Sequence, residues 1–230
     1  MSVISIFKIK DHPVKRILMS VFGVLVCGIA VGLFRCATFG VDPFQSFMSG
    51  LESLVPISFG TLYVIVNALL LIFSLVCDRH YIGIATFVNL FLLGYVVQFS
   101  YYVLQHAFPQ PSLAVRIVFF IIGVVILCLA SAFYITADLG VSTYDAIALI
   151  ITQTWQKGQF RFVRIITDVI CVASGVVLFL LSGDRLSGLY SIVGAGTIVL
   201  ALFMGPLVDL FSRKIAKPFL FGVTADSRDL

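Results

Sequence analysis

Six apolar runs of about twenty residues follow one another along this chain, and each is long enough to cross the ~30 Å hydrocarbon core of a bilayer as a helix. They are Ile17–Phe34, Ile57–Cys77, Ile82–Leu104, Leu113–Ile135, Phe162–Leu181 and Leu186–Phe211. In hydrocarbon every backbone N–H and C=O must be satisfied within the segment, so helices are the element that such runs dictate. Composition agrees. The 230 residues are 60% hydrophobic and 11% charged, with a mean hydropathy of +1.13, whereas soluble domains are about 45–50% apolar and about 25% charged. The expected fold is all-α: a polytopic membrane protein with six long transmembrane helices plus two shorter amphipathic helices.

The formal charge of +4 does not point to nucleic acid. Of fifteen Lys and Arg, four lie in Lys8–Arg16, three in Lys157–Arg164 and three in Arg213–Lys217, all at the edges of apolar runs. This is how cytoplasmic flanks are marked, with both termini inside. Cys27, Cys36, Cys77, Cys128 and Cys171 lack metal-ligand spacing and read as small hydrophobes. The first run has a basic flank but no small-residue cleavage site, so it is expected to stay as an uncleaved membrane helix.

The two shorter stretches are Val41–Val55 and Val141–Trp155. In the first, Asp42, Gln45, Ser46, Ser49, Glu52 and Ser53 fall on one helical face, with Phe44, Phe47, Met48, Leu51 and Leu54 on the other. Such a stripe predicts a helix lying in or near the interface. Asp42 before Pro43, and Ser142 three residues before Asp145, are helix-start signals.

These stretches belong to a longer match. Phe34–Gln45 aligns with Tyr134–Asp145 at an offset of 100, with aromatics paired at 34/134 and 44/144. Gly83–Val88 aligns with Gly194–Val199 at an offset of 111, pairing Thr86 with Thr197. Two matches in the same order indicate a duplicated unit. The expected organisation is a cytoplasmic segment 1–13, membrane repeats 14–108 and 109–212, and a cytoplasmic tail 213–230. Three crossings per repeat invert one relative to the other. That arrangement leaves Arg35, Arg116 and Arg185 outside; eight crossings leave Arg35, Arg79 and Arg185 outside, and charge alone does not choose.

The Leu139–Asp145 element, echoed at Phe39–Gln45, and the later Gly194–Asp209 element resemble those of the bacterial YczE/YyaS/YitT family of integral membrane proteins. The resemblance covers nearly the whole chain. It implies a multi-pass protein of the bacterial cytoplasmic membrane and leaves any solute open.

An ionised group near the bilayer centre costs about 2.5–3.5 kcal/mol on insertion scales and needs a reason. Asp168 lies inside its run with Arg164 one turn earlier, either as an ion site held in register or as an edge pair. Asp138 and Asp145 flank Gly140, as coupling-ion ligands or as solvated caps. Asp42 and Ser142 divide in the same way between ligand and cap, with Gln45 beside the first. Arg35, where the first long helix breaks, suits an anionic solute or an interfacial anchor. Asn67, Thr86 and Thr197 either line a cavity or bond between helices.

No P-loop, HExxH, GxSxG or His/Cys ligand cluster is present, so no enzyme, metal site or cofactor is expected. The leading expectation is an ion-gradient-driven permease for a small solute, with a polar cavity between the repeats. The alternative is an accessory or regulatory subunit of a larger complex. Besides lipid, the expected partners are the solute, a coupling ion, and a second copy or another membrane protein.

Overall fold

The computed structural model describes residues 11–158, 160–183 and 188–222, and these are helical with short breaks. Helix α1 (Pro13–Ala37) leads through a break into the short α2 (Pro43–Leu54), then α3 (Phe59–Cys77). Helices α4 (Ile84–Val88) and α5 (Gly94–Ala107) are joined by a π-helical turn at Asn89–Leu93. The second half follows with α6 (Leu113–Ala137) and the short α7 (Thr143–Leu149), which ends in a π turn at Ile150–Thr154. Then come α8 (Phe160–Leu181), α9 (Leu189–Ile192), α10 (Ala195–Phe211), a π turn at Ser212–Ala216 and α11 (Lys217–Phe221).

Among the described residues, five stretches are long and apolar enough to cross a membrane: Pro13–Ala37, Phe59–Cys77, Ile84–Ala107, Leu113–Ala137 and Phe162–Leu181. Of the sixth expected run, Leu186 and Ser187 lie outside the described residues, and the rest divides into α9 and, after Val193 and Gly194, α10, 17 residues long and carrying Pro206 inside it. Large side chains such as Leu69, Val76, Phe99, Val169 and Leu181 stand exposed along these helices, as lipid-facing surfaces do.

The short helices begin where their caps dictate. The Asp42 carboxylate accepts the Gln45 N–H at 3.1 Å, and the Ser142 hydroxyl accepts the Asp145 N–H at 3.1 Å. Part of the polar stripe of α2 is buried in the protein. Gln45 and Ser46 are buried, and Ser46 donates to the Ile192 carbonyl at 2.9 Å. The buried part of the stripe lies where α2 packs on α8, and there Gly50 and Gly175 let the two backbones touch.

Helices α1 and α6 run antiparallel. Near the start of α1, Arg16 donates to the Ala137 carbonyl at the end of α6 (2.8 Å); near the start of α6, Arg116 donates to the Ala37 carbonyl at the end of α1 (2.8 Å). Each guanidinium satisfies carbonyls that a helix end leaves open. Arg35 and Arg116 therefore share one end of the bundle, as three crossings per repeat require. Met19, Ala216 and Leu220 pack together at the other end, which places both ends of the described chain on the same side.

Substituting Arg16 or Arg116 by alanine strands buried carbonyls and is expected to cost about 1–3 kcal/mol. Thermal unfolding in detergent should show nearly equal losses for the two variants, and little change for Lys15→Ala at an exposed neighbour.

The two breaks are held in a reciprocal way. After α1, the Phe39 carbonyl accepts the Gly196 N–H at 2.7 Å, and the Val41 N–H reaches the Ile192 carbonyl at 3.4 Å. After α6, the Leu139 carbonyl accepts the Ala85 N–H at 3.0 Å, and the Val141 N–H reaches the Tyr81 carbonyl at 3.1 Å. Each break thus lies against the start of a helix from the opposite part of the chain. Gly40 and Gly140 sit there with φ of +97° and +109°, conformations that side chains resist.

Candidate functional site

The second break delivers α7 with its first turn facing α8. Ser142 binds Asp145 twice, accepting its N–H and donating to Oδ2 at 2.7 Å, which fixes the carboxylate. One turn into α8, Arg164 pairs with Asp145 and places Nε 3.3 Å from Asp168 Oδ1. Between the two acids lies Tyr144. Its hydroxyl donates to Asp168 Oδ1 at 2.6 Å, and its ring lies 4.5 Å below the Arg164 guanidinium. Side-chain exposures of 32% for Arg164, 39% for Asp145 and 28% for Asp168 show that the cluster opens outward rather than being sealed.

The other face of Tyr144 stacks on Phe44 of α2, with ring centroids 4.9 Å apart. Residues 44 and 144 are partners in the offset of 100, so equivalent positions of the two short helices meet face to face. Phe44 in turn meets the Tyr63 ring edge-on at 5.9 Å. From there a hydrogen-bonded chain crosses the interior. Tyr63 donates to Asn89 at 3.1 Å, Asn67 donates to the Tyr63 carbonyl at 2.8 Å, and Thr143 donates to Asn67 at 2.5 Å.

Asp42 stands near enough to act electrostatically on this group, facing Arg164 and Asp168. Asp145 and Asp168 thus hold one guanidinium between them, with the Asp42 carboxylate within electrostatic range. Two buried oxygens, Gln45 Oε1 and the Tyr134 hydroxyl, make no hydrogen bond within the described protein. Tyr134 shares a packed cluster with Phe44, Tyr63 and Tyr144.

Of the residues expected from sequence, Asn67, Ser142, Asp145, Arg164 and Asp168 are brought together, with Asp42 beside them. Arg35 is not. It lies at the far end of α1, paired with Glu52 and packed against the rings of Phe59 (4.4 Å) and Tyr101 (4.8 Å). It lines a separate pocket of ≈ 220 Å³ with Tyr101, Gln105 and Arg116. Asp138 ends α6 in the left-handed conformation (φ 51°), and Thr38 does the same for α1 (φ 54°). Thr86 and Thr197 act as caps, accepting the Gly83 and Gly194 N–H groups at 3.1 and 3.3 Å. Tyr144, Phe44, Tyr63 and Tyr134 were missed as site residues. The matched aromatics at 44 and 144 were the available signal.

Outside the spans, Thr154 and the His80 N–H both donate to Asp78, at 2.6 and 2.9 Å, and hold its carboxyl below the usual 3.8. A depressed folded-state value means that this tie is present above the ordinary value and is lost as pH falls through the lower one. Trp155, the sole tryptophan, neighbours Thr154 and lies edge-on to Phe73 at 6.2 Å. An acid titration of its fluorescence should show a transition below about pH 4, and Asp78→Asn should abolish that transition.

The comparisons with known proteins name no activity. The chain is 23% identical over 198 residues to the uncharacterized protein YyaS of Bacillus subtilis (strain 168), covering 86% of this chain and 92% of that one. It is also 23% identical over 204 residues to an uncharacterized protein of Haemophilus influenzae, covering 88% and 86% respectively. No solved structure matches. A family of unknown function, DUF6198, matches residues 14–213, and the chain belongs to that family.

Proposed function

We propose that this protein is a secondary transporter of a small solute, built from two inverted halves around the Tyr144 cluster. The observation that carries the reading is the meeting of two interrupted helices inside an apolar bundle, where Asp145, Arg164 and Asp168 stand together with Asp42 in reach. Charged groups at that depth and non-helical backbone within the membrane are both features of solute pathways. Reciprocal contacts of the two breaks support the inverted relation, as does the exchange of Arg16 and Arg116 between α1 and α6. An ion gradient supplies the drive in this reading. Basic flanks set both termini on the cytoplasmic side of a bacterial inner membrane.

The test is uptake by purified protein in liposomes, across a panel of radiolabelled small solutes, with and without proton or sodium gradients. Uptake by the wild type is expected to depend on the gradient, and Asp168→Asn should lose it by about tenfold or more while eluting as a folded protein. Failure to move any solute under every gradient overturns the reading and favours a non-transporting subunit.

A further inference from the structure

Arg164 occupies a place that a mobile ligand would fill. Its guanidinium is held by two carboxylates from different helices and lies on the open face of an aromatic ring. These are the groups by which proteins recognise free organic cations, through charge-assisted bonds and cation–π contact. Arg164 is also poorly confined. It is one turn from the start of α8 and partly exposed, so its long side chain can withdraw toward the membrane edge.

The balance of charge points the same way. Two carboxylates, Asp145 and Asp168, hold a single guanidinium, and a third, Asp42, lies within electrostatic range of it. The Tyr134 hydroxyl, 9% exposed and without a partner, belongs to the same packed cluster as Tyr144 and lies within electrostatic reach of Asp145. An anionic solute would meet a net negative surround here; a cationic one meets acceptors.

We infer that the solute is an organic cation of guanidinium or small-ammonium type, bound between Asp145 and Asp168 on the face of Tyr144 in place of Arg164. This rests on the transporter reading and specifies its substrate class. Arg164 is the resident counter-ion of the empty site. It neutralises the two acids while the site waits, and the arriving cation displaces it, so the site's charge is the same before and after loading.

The experiment is thermal-shift and Trp155 fluorescence titration of the full chain in detergent, with millimolar methylguanidinium or tetramethylammonium chloride as probes. Potassium chloride at equal ionic strength and potassium acetate are the controls. A saturable rise in Tm with an organic cation, absent for both controls, is expected for the wild type. Asp145→Asn and Asp168→Asn should abolish it.

Arg164→Gln removes the internal competitor while keeping most of the side-chain volume, and should tighten binding of the probe about tenfold or more. A positioning role for Arg164 predicts the opposite, weaker binding. Stabilisation by acetate that disappears in Arg164→Gln overturns the inference, as does the absence of any saturable shift in both wild type and Arg164→Gln. Should Arg164→Gln fail to fold, weaker cation binding in Arg164→Lys would overturn it as well. Cation binding without uptake in liposomes sinks the transporter reading but not this one.

Discussion

Valine at Gly40 or Gly140 is expected to abolish recovery of folded protein. Both residues hold φ near +100°, in a region that a β-branched residue enters only at a cost of about 1–3 kcal/mol. The space is also occupied. A Cβ at Gly40 would lie 2.5 Å from the Gly194 nitrogen, and one at Gly140 would lie 2.5 Å from the Gly83 nitrogen. Those neighbours are backbone at the starts of α10 and α4, which cannot turn aside as a side chain would. Overpacking adds about 1–3 kcal/mol, against a total stability of about 5–15 kcal/mol. Detergent-solubilised protein should therefore leave the monodisperse peak on size-exclusion chromatography. Gly183 separates the two causes: its φ is +78°, yet nothing among the described residues lies within 4 Å of an added Cβ. Gly183→Val should lose only the smaller part, and an equal collapse there would remove crowding from the explanation.

The second large effect concerns the seam between α2 and α8. A Cβ on Gly50 would lie 2.1 Å from the Gly175 carbonyl oxygen, and one on Gly175 would lie 2.5 Å from the Ser46 carbonyl oxygen. Small residues let membrane helices approach closely, and here they set the distance between two elements of the site. Gly50→Val or Gly175→Val should force the pair apart at a cost of about 3 kcal/mol or more. Because α8 carries Arg164 and Asp168, variants that survive should lose uptake as well as thermal stability. Gly205→Val, where a Cβ would meet nothing within 4 Å, is the control. If Gly50→Val retains wild-type Tm and uptake, the seam is not a fixed contact.

Sequence made some of this legible because certain signals are local. Capping depends on residues three apart, so the starts of α2 and α7 at Asp42 and Ser142 were readable directly. The offset of 100 likewise foreshadowed that α1 and α6 would be equivalent in length and ending. Position along a bundle is not local, and there the reading erred. Arg35 lies in the last turn of α1 and Asp138 directly after α6, yet α1 and α6 run antiparallel, so the two residues lie at opposite ends. Thr86 and Thr197 were matched as potential ligands, but a threonine three residues after a helix-starting glycine finds the nearest open N–H first. The polar stripe on α2 suggested water on that side. Only the packing of the other helices shows that Gln45 and Ser46 within it are buried. Tyr144 was hidden for a related reason: an aromatic beside an acid is unremarkable until Arg164 arrives from another helix.

The reciprocal anchoring of the breaks bears on how the protein is made. During synthesis the first break enters the membrane long before Ile192 and Gly196 exist to bond Val41 and Phe39. Until those partners emerge, its backbone groups must find water or the translocation machinery, so the front portion cannot settle by itself. This anchoring is therefore completed late, when α9 and the start of α10 are released and close on elements made first. A chain cut in the loop at residues 108–112 should recover its shape only when both fragments are produced together.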